Sequence, residues 1–228
     1  MNDREAAAVN NMIIVKKLEK TYDNGLIVAL NGISFEIRAG EIVAITGPSG
    51  CGKSTLLNLI GTLDLPTSGE IWIDGKNMSA CHPLHRFRAA NIGFIFQFHH
   101  LVPSMTIMEN VELPMYSLSV PKTVRVQKAR QILISMGLAE RANFFPTKVS
   151  GGERQRAAIA RAVANDPKII LADEPTGNLD TDNGEMVMDY LANLCHEKGI
   201  TLLITTHNPL VATRAGRIIN MKNGQIEN

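Results

Sequence analysis

Several things are scarce in this sequence. Aromatic residues make up 5% of its 228 residues, with a single tryptophan, too few for a surface that stacks successive nucleobases. No charge of one sign dominates: 23 Lys+Arg face 22 Asp+Glu, for a net charge of +1. That balance gives no electrostatic case for nucleic-acid binding. Three cysteines, Cys51, Cys81 and Cys195, are too sparse for a disulfide framework and lack C-x-x-C metal spacing. They read as reduced cytosolic thiols. Long apolar runs are missing too. Ile42-Val43-Ala44-Ile45 and Ile169-Ile170-Leu171-Ala172 fall far short of the ~18 residues of a spanning helix. The start, Met1-Asn2-Asp3-Arg4-Glu5, is acidic early and leads into no apolar core, so no secretory signal is expected. A chain of this kind serves a membrane, if at all, from outside the bilayer. What remains, 45% apolar and 20% charged, is an ordinary soluble globular composition.

The pattern of the chain predicts an α/β protein. Strands are expected at Met12–Leu18, Ile27–Leu30, Ile33–Ile37, Ile42–Ile45 and Gly69–Gly75, with a hairpin turn at Asn24-Gly25 and a helix from Lys53 to Gly61. From about Pro83 to Ala164 the pattern is helical apart from Ile92–Phe96. Helices are expected over Thr106–Leu118, Lys122–Met136 and Gly151–Ala164, with Gly137 as a helix end. The last third alternates: strand Ile169–Asp173, helix Thr181–Lys198, strand Leu202–Thr206, then a hairpin Arg217–Ile226 around Asn223-Gly224. Such alternation argues for a largely parallel sheet, with the middle block as an inserted helical subdomain.

Three segments carry chemistry. Gly47-Pro48-Ser49-Gly50-Cys51-Gly52-Lys53-Ser54 fits G-x-x-x-x-G-K-[ST], between a buried strand and a helix. Its glycines let successive backbone N–H groups point at phosphate oxygens, and the helix start adds its positive dipole end. Lys53 is placed to reach the β- and γ-phosphates and Ser54 to ligate Mg²⁺. Thr55 closes the loop, and Cys51 reads as incidental. Lys168–Glu174 is an apolar strand ending in two carboxylates. Asp173 suits Mg²⁺ and Glu174 suits a general base for the attacking water. Val149-Ser150-Gly151-Gly152-Glu153 opens a helix. Ser150 and Glu153 have capping-box spacing. Capping does not call for two adjacent glycines, but close approach of a second phosphate does.

Together these segments resemble the nucleotide-binding subunit of an ATP-binding-cassette (ABC) transporter over essentially residues 12–226. The usual pattern at the helix start is Leu-Ser-Gly-Gly-Gln, from which Val149 and Glu153 depart. The resemblance implies a P-loop NTPase core with a parallel sheet, an N-terminal antiparallel β-subdomain and an inserted helical subdomain, all in one domain over 1–228. The nucleotide-binding core is expected at 12–96 and 165–228, and the helical subdomain at 97–164. Further residues follow from the resemblance. Gln97 senses Mg²⁺ and links to the membrane partner. His207 contacts the γ-phosphate and holds the attacking water with Glu174. Tyr22 stacks on adenine, and Asp180 makes contacts across a dimer. The remaining histidines (His82, His85, His99, His100 and His196) are expected on the surface or in loops.

Phe96-Gln97-Phe98-His99-His100-Leu101-Val102-Pro103, Thr106–Pro114, Glu174–Asp180 and Thr205–Asn208 further resemble the lipoprotein-release and macrolide-export group. The expected function is hydrolysis of Mg²⁺-ATP at composite sites of an ATP-dependent homodimer, driving an integral membrane permease. The expected place is the cytoplasmic face of the inner or plasma membrane, with no nucleic-acid partner. The competing expectation is a regulatory scaffold of the cell-division type, in which ATP binding controls an extracytoplasmic enzyme and nothing is transported. The substrate is not legible, because it meets another polypeptide.

Overall fold

The computed structural model describes residues 11–227, so the reading of Met1–Glu5 lies outside the described residues. The chain forms two compact units. One runs up to Leu84 and resumes at Ala192, and the other is His85–Leu191.

The first unit holds β1 (Asn11–Tyr22), β2 (Ile27–Arg38), β3 (Ile42–Thr46), helix α1 (Lys53–Ile60), β4 (Ser68–Ile73) and β5 (Lys76–Asn77). β1 and β2 pair antiparallel across the expected turn, where Asn24 (φ 53) and Gly25 (φ 94) are left-handed. The two strands expected at Ile27–Leu30 and Ile33–Ile37 are one strand. Leu18 faces Ile33 while Lys20 faces Leu30, so β2 carries an extra residue between them. Gly32, at φ 70, absorbs this bulge without ending the strand. β4 pairs with the other side of β1, giving an antiparallel sheet of order β2-β1-β4-β5. Its inner face buries Ile13, Val15, Leu18, Ile33, Ile37, Ile71 and Ile73.

β3 pairs in parallel with β8 (Thr201–Thr206) on one side and β9 (Arg217–Lys222) on the other. A strand with neighbours on both edges and cover on both faces reads as a continuous apolar run, and Val43, Ala44 and Ile45 are fully buried. β9 turns at Asn223 (φ 50) and Gly224 (φ 73) into β10 (Gln225–Ile226). Thr46 faces Thr206 across β3 and β8. Gly47 and His207 therefore leave adjacent parallel strands at the same carboxyl edge, where α/β sheets bind ligands.

The second unit contains α2 (Leu84–Asn91, entered at Leu84), β6 (Ile92–Ile95), α3 (Ile107–Tyr116), α4 (Lys122–Ser135), α5 (Gly151–Ala162) and β7 (Ile169–Asp173). α6 (Thr181–Lys198) then carries the chain back to the first unit, where the short helix α7 (Pro209–Ala212) follows β8. β6 and β7 are parallel, with Ile95 facing Ala172. Phe96-Gln97 and Asp173-Glu174 therefore emerge together at one carboxyl edge. β6 packs closely on the end of α5: a Cβ on Gly93 would lie 2.3 Å from the Ala162 carbonyl oxygen. Gly137, at φ 66, ends the helical run as expected. Among the described residues no helix is long and apolar enough to cross a membrane.

Candidate functional site

The loop from Gly47 to Ser54 connects β3 to α1 and is built on backbone conformations that exclude side chains. Gly52 caps α1 at φ 103, and a Cβ there would lie 2.5 Å from the Ala29 carbonyl. A Cβ on Gly47 would lie 2.1 Å from the Met221 carbonyl. Neighbouring strands thus wall the loop from behind. Cys51 is buried, and its carbonyl accepts from Gly224 N–H at 3.1 Å, anchoring the loop to the β9–β10 turn. Lys53 is also buried. Its Nζ donates to the carbonyls of Gly47 (2.7 Å) and Pro48 (3.0 Å) and lies 3.9 Å from Cys51 Sγ. A buried ammonium needs such partners, and they hold the charge inside the loop where an anion would sit. Cys51, expected to be incidental, is part of this packing.

Tyr22, at the end of β1, is partly exposed. Its hydroxyl donates to Asp64 Oδ2 at 2.9 Å, and Lys20 Nζ donates to Asp64 Oδ1 at 2.9 Å while lying 4.7 Å from the ring centroid. Partial burial, then the Asp64 carboxylate, push the Tyr22 phenol above its ordinary range. Against the cost of burial, the hydrogen bonds from Lys20 and Tyr22 hold the Asp64 carboxyl below its own. One ring face is covered by a cation, and the phenol is fixed in place. His207, one residue past β8, is exposed.

In the second unit, Glu174 sits just past β7 with φ 46. A left-handed glutamate costs backbone strain of the kind found at functional sites. Its carbonyl accepts from Gly177 N–H at 3.0 Å, closing a tight turn. Gln97 meets that turn. A Cβ on Gly177 would lie 3.2 Å from Gln97 Nε2, and Asn178 Nδ2 donates to the Gln97 carbonyl at 2.6 Å. Gln97, Asp173 and Glu174 are therefore gathered at one strand edge. Gln155, buried on α5, donates to the Pro175 carbonyl at 2.6 Å and fixes the turn from behind. This residue carried no local signal, because its partner lies far along the chain.

Ser150 caps α5 as expected. Its hydroxyl accepts from Glu153 N–H at 3.2 Å, and Glu153 Oε2 accepts from Ser150 N–H at 2.7 Å. Hydrogen bonding from Ser150, then from Arg141, lowers the Glu153 carboxyl. Ser150, Gly151 and Gly152 line an open cleft of about 600 Å³ together with Asn178 and Asp180. Asp180 accepts from Asn183 N–H at 2.9 Å and Nδ2 at 2.7 Å, capping the start of α6. These hydrogen bonds lower its carboxyl.

His99 lies in a loop, as expected, and is buried there, because Arg161 of α5 pulls the turn inward, donating to the carbonyls of His99 at 2.6 Å and His100 at 2.5 Å. Arg161 is itself largely withdrawn from solvent, and burial brings its guanidinium down to about 10.

Strand-edge loops, a phosphate-loop backbone and a strand-end acid pair define a nucleotide-hydrolysing α/β protein. A family model described as ABC transporter matches residues 30–177. The chain belongs to the ABC transporter family, as an ATP-binding subunit with ATPase activity. The lipoprotein-releasing system ATP-binding protein LolD of Syntrophus aciditrophicus is 42% identical over 219 residues, which cover 94% of this chain and 98% of that one. The macrolide export ATP-binding/permease protein MacB of Salmonella choleraesuis is 44% identical over 213 residues, 92% of this chain but 33% of its own length. Both carry the names of the group that the residues around Gln97 and Glu174 resemble. A solved dimeric structure of the ATP-binding cassette MJ0796, in a post-hydrolysis state bound to ADP and Pi, matches with a TM-score of 0.88 at 43% identity. The match covers 95% of this chain and 97% of that chain.

Proposed function

We propose that two copies of this chain close over two ATP molecules at the cytoplasmic face of a membrane. Each site then combines the phosphate loop of one copy with Ser150-Gly151-Gly152 of the other. Hydrolysis drives an integral membrane permease of the lipoprotein-release or macrolide-export type. The observation that carries this reading is the Gly47–Ser54 loop, walled by neighbouring strands with Lys53 held inside it. The dimeric state of MJ0796 and the name of LolD support the assembly and the partner.

The residues present suit Mg²⁺ that arrives with the nucleotide. Among the described residues no three His, Cys, Asp or Glu side chains are grouped to hold an ion, so no dedicated all-protein cage competes. The Ser54 hydroxyl, the Gln97 amide oxygen and the Asp173 carboxylate are hard oxygen donors, as an ion that keeps phosphate and water ligands requires. Held by these residues, Mg²⁺ would supply charge neutralisation for the phosphates. Lys53 transfers its hydrogen bonds from the loop carbonyls to phosphate oxygens, and the loop N–H groups hold the chain of phosphates in line. Tyr22 offers its free ring face to adenine. Glu174 takes the proton of the attacking water, and His207 holds that water against the γ-phosphate. Asp180, on the same cleft as Ser150, contacts the partner copy.

Replacing the base tests the reading. Glu174→Gln should retain ATP binding but lose at least ~10²-fold in turnover, as for removal of a positioned base. It should also accumulate as a dimer with ATP and return to monomer without it. Near-normal steady-state hydrolysis in this variant sinks the assignment of Glu174.

A further inference from the structure

The segment that is to meet a phosphate carries a charge of the wrong sign. Glu153 stands in the first turn of α5, where Glu153 Oε2 accepts from Ser150 N–H. It shares the 600 Å³ cleft with Ser150, Gly151 and Gly152. A carboxylate here helps the isolated helix, because it suits the positive dipole end. It opposes any second anion that must use the same end. The other carboxylate of the cleft, Asp180, is engaged by Asn183. Of the cations on the helix, Arg154 donates to the carbonyls of Val149 and Pro146, and Arg156 lines the cleft beside Gly152.

Arg141 answers the charge. It ends the short turn Ala139–Arg141, and its Nε donates to Glu153 Oε1 at 2.9 Å. Its guanidinium lies 5.2 Å from the Phe144 ring centroid. One face rests on an aromatic ring while its edge holds the carboxylate, which fixes both side chains. An ion pair this exposed adds little to fold stability. Its consequence is for whatever anion approaches Ser150.

We propose that Arg141 is a positioning residue for the closed dimer. It cancels the Glu153 charge and pins the carboxylate in the capping geometry, so that Ser150, Gly151 and Gly152 can receive the phosphates held by the partner copy. This inference rests on the composite-site reading above and names the residue that makes glutamate compatible with it.

A double-mutant cycle in the Glu174→Gln background tests it. The readout is the ATP concentration that half-saturates dimer formation, followed by sedimentation, with binding of a fluorescent ATP analogue to the monomer measured in parallel. Arg141→Gln should raise the half-saturating concentration roughly two- to fivefold, the range for one charge at a helix start. Monomer affinity should not change, and the shift should shrink at high salt. Adding Glu153→Gln should remove the shift. If Arg141→Gln shifts dimerisation equally beside Glu153 and beside Gln at that position, or not at all, the inference is overturned. A Ser150→Arg arm separates the two readings. Loss of the dimer there keeps the composite site standing whatever Arg141 does. An undisturbed dimer there removes the composite site, and the role of Arg141 with it.

Discussion

Tyr22 shows how a single side chain is held in place by a neighbour that is remote in sequence. Its phenol is held by Asp64, and Lys20 bridges from the same carboxylate to one ring face. A ring fixed in this way loses little freedom when a base stacks on it. Base–aromatic stacking is worth about 1–3 kcal/mol, so Tyr22→Ala should raise the KM for ATP at least about fivefold. A π-face also discriminates poorly between purines, and GTP should be hydrolysed as well. Steady-state kinetics with both nucleotides check this. An unchanged KM for Tyr22→Ala returns the residue to an ordinary hairpin position. The same scale explains Cys51. Its Sγ would lie 2.8 Å from a Cβ on Gly47, so the buried thiol fills space that a side chain on Gly47 would need.

Two elements of the second unit start with the same device. Thr106 caps α3, and its N–H and hydroxyl both donate to Glu109 Oε2, at 2.7 and 2.9 Å. The backbone hydrogen bond from Thr106, then its hydroxyl, lowers the Glu109 carboxyl from its ordinary 4.5. A carboxyl lowered by folding contributes stability that is fully present above its unfolded value and is lost as pH falls through the folded one. Thermal unfolding between pH 7 and pH 3.5 should therefore lose part of its stability below about 4.5, and Glu109→Gln should flatten that acid limb. At pH 7, Thr106→Ala should cost about 1 kcal/mol, as loss of an N-cap does. An acid limb unaltered by Glu109→Gln would count against the capping box as its source. Asn110, fully buried at the same helix, donates to or accepts from Val102, Met105 and Thr106. It ties down the loop that follows Gln97, a role that its position in a helical pattern did not announce.

For the whole molecule, the proposed composite site asks how two distant segments of one chain could act on one nucleotide. The phosphate loop lies in the first unit and Ser150-Gly151-Gly152 in the second. In a two-fold dimer each copy supplies one of each, so the assembly closes without forming a filament. ATP that binds the closed dimer more tightly than the monomer adds that difference to the interface, and the isolated chain should be mostly monomeric. Mixing tests the arrangement. Lys53→Ala and Ser150→Arg should each be inactive alone. Their mixture should regain activity, because one interface of the mixed dimer keeps an intact loop facing an intact Ser150-Gly151-Gly152. If mixed dimers form without any activity, the two sites do not act as separate composites.

The sequence by itself determined what depends on neighbours along the chain. The phosphate loop, the strand ending in Asp173-Glu174, the capping box at Ser150 and the turns at Asn24-Gly25 and Asn223-Gly224 all lie where their patterns put them. Each is set by residues within a few positions of one another, through backbone sterics and local hydrogen bonds. The tertiary structure decided whatever pairs distant residues. It joined two expected strands into β2 through a bulge at Gly32, buried His99 beneath Arg161, set Gln155 on Pro175, and placed Arg141 against Glu153. A buried polar group must find a partner wherever the fold supplies one, and periodicity along the chain does not record which residue that is.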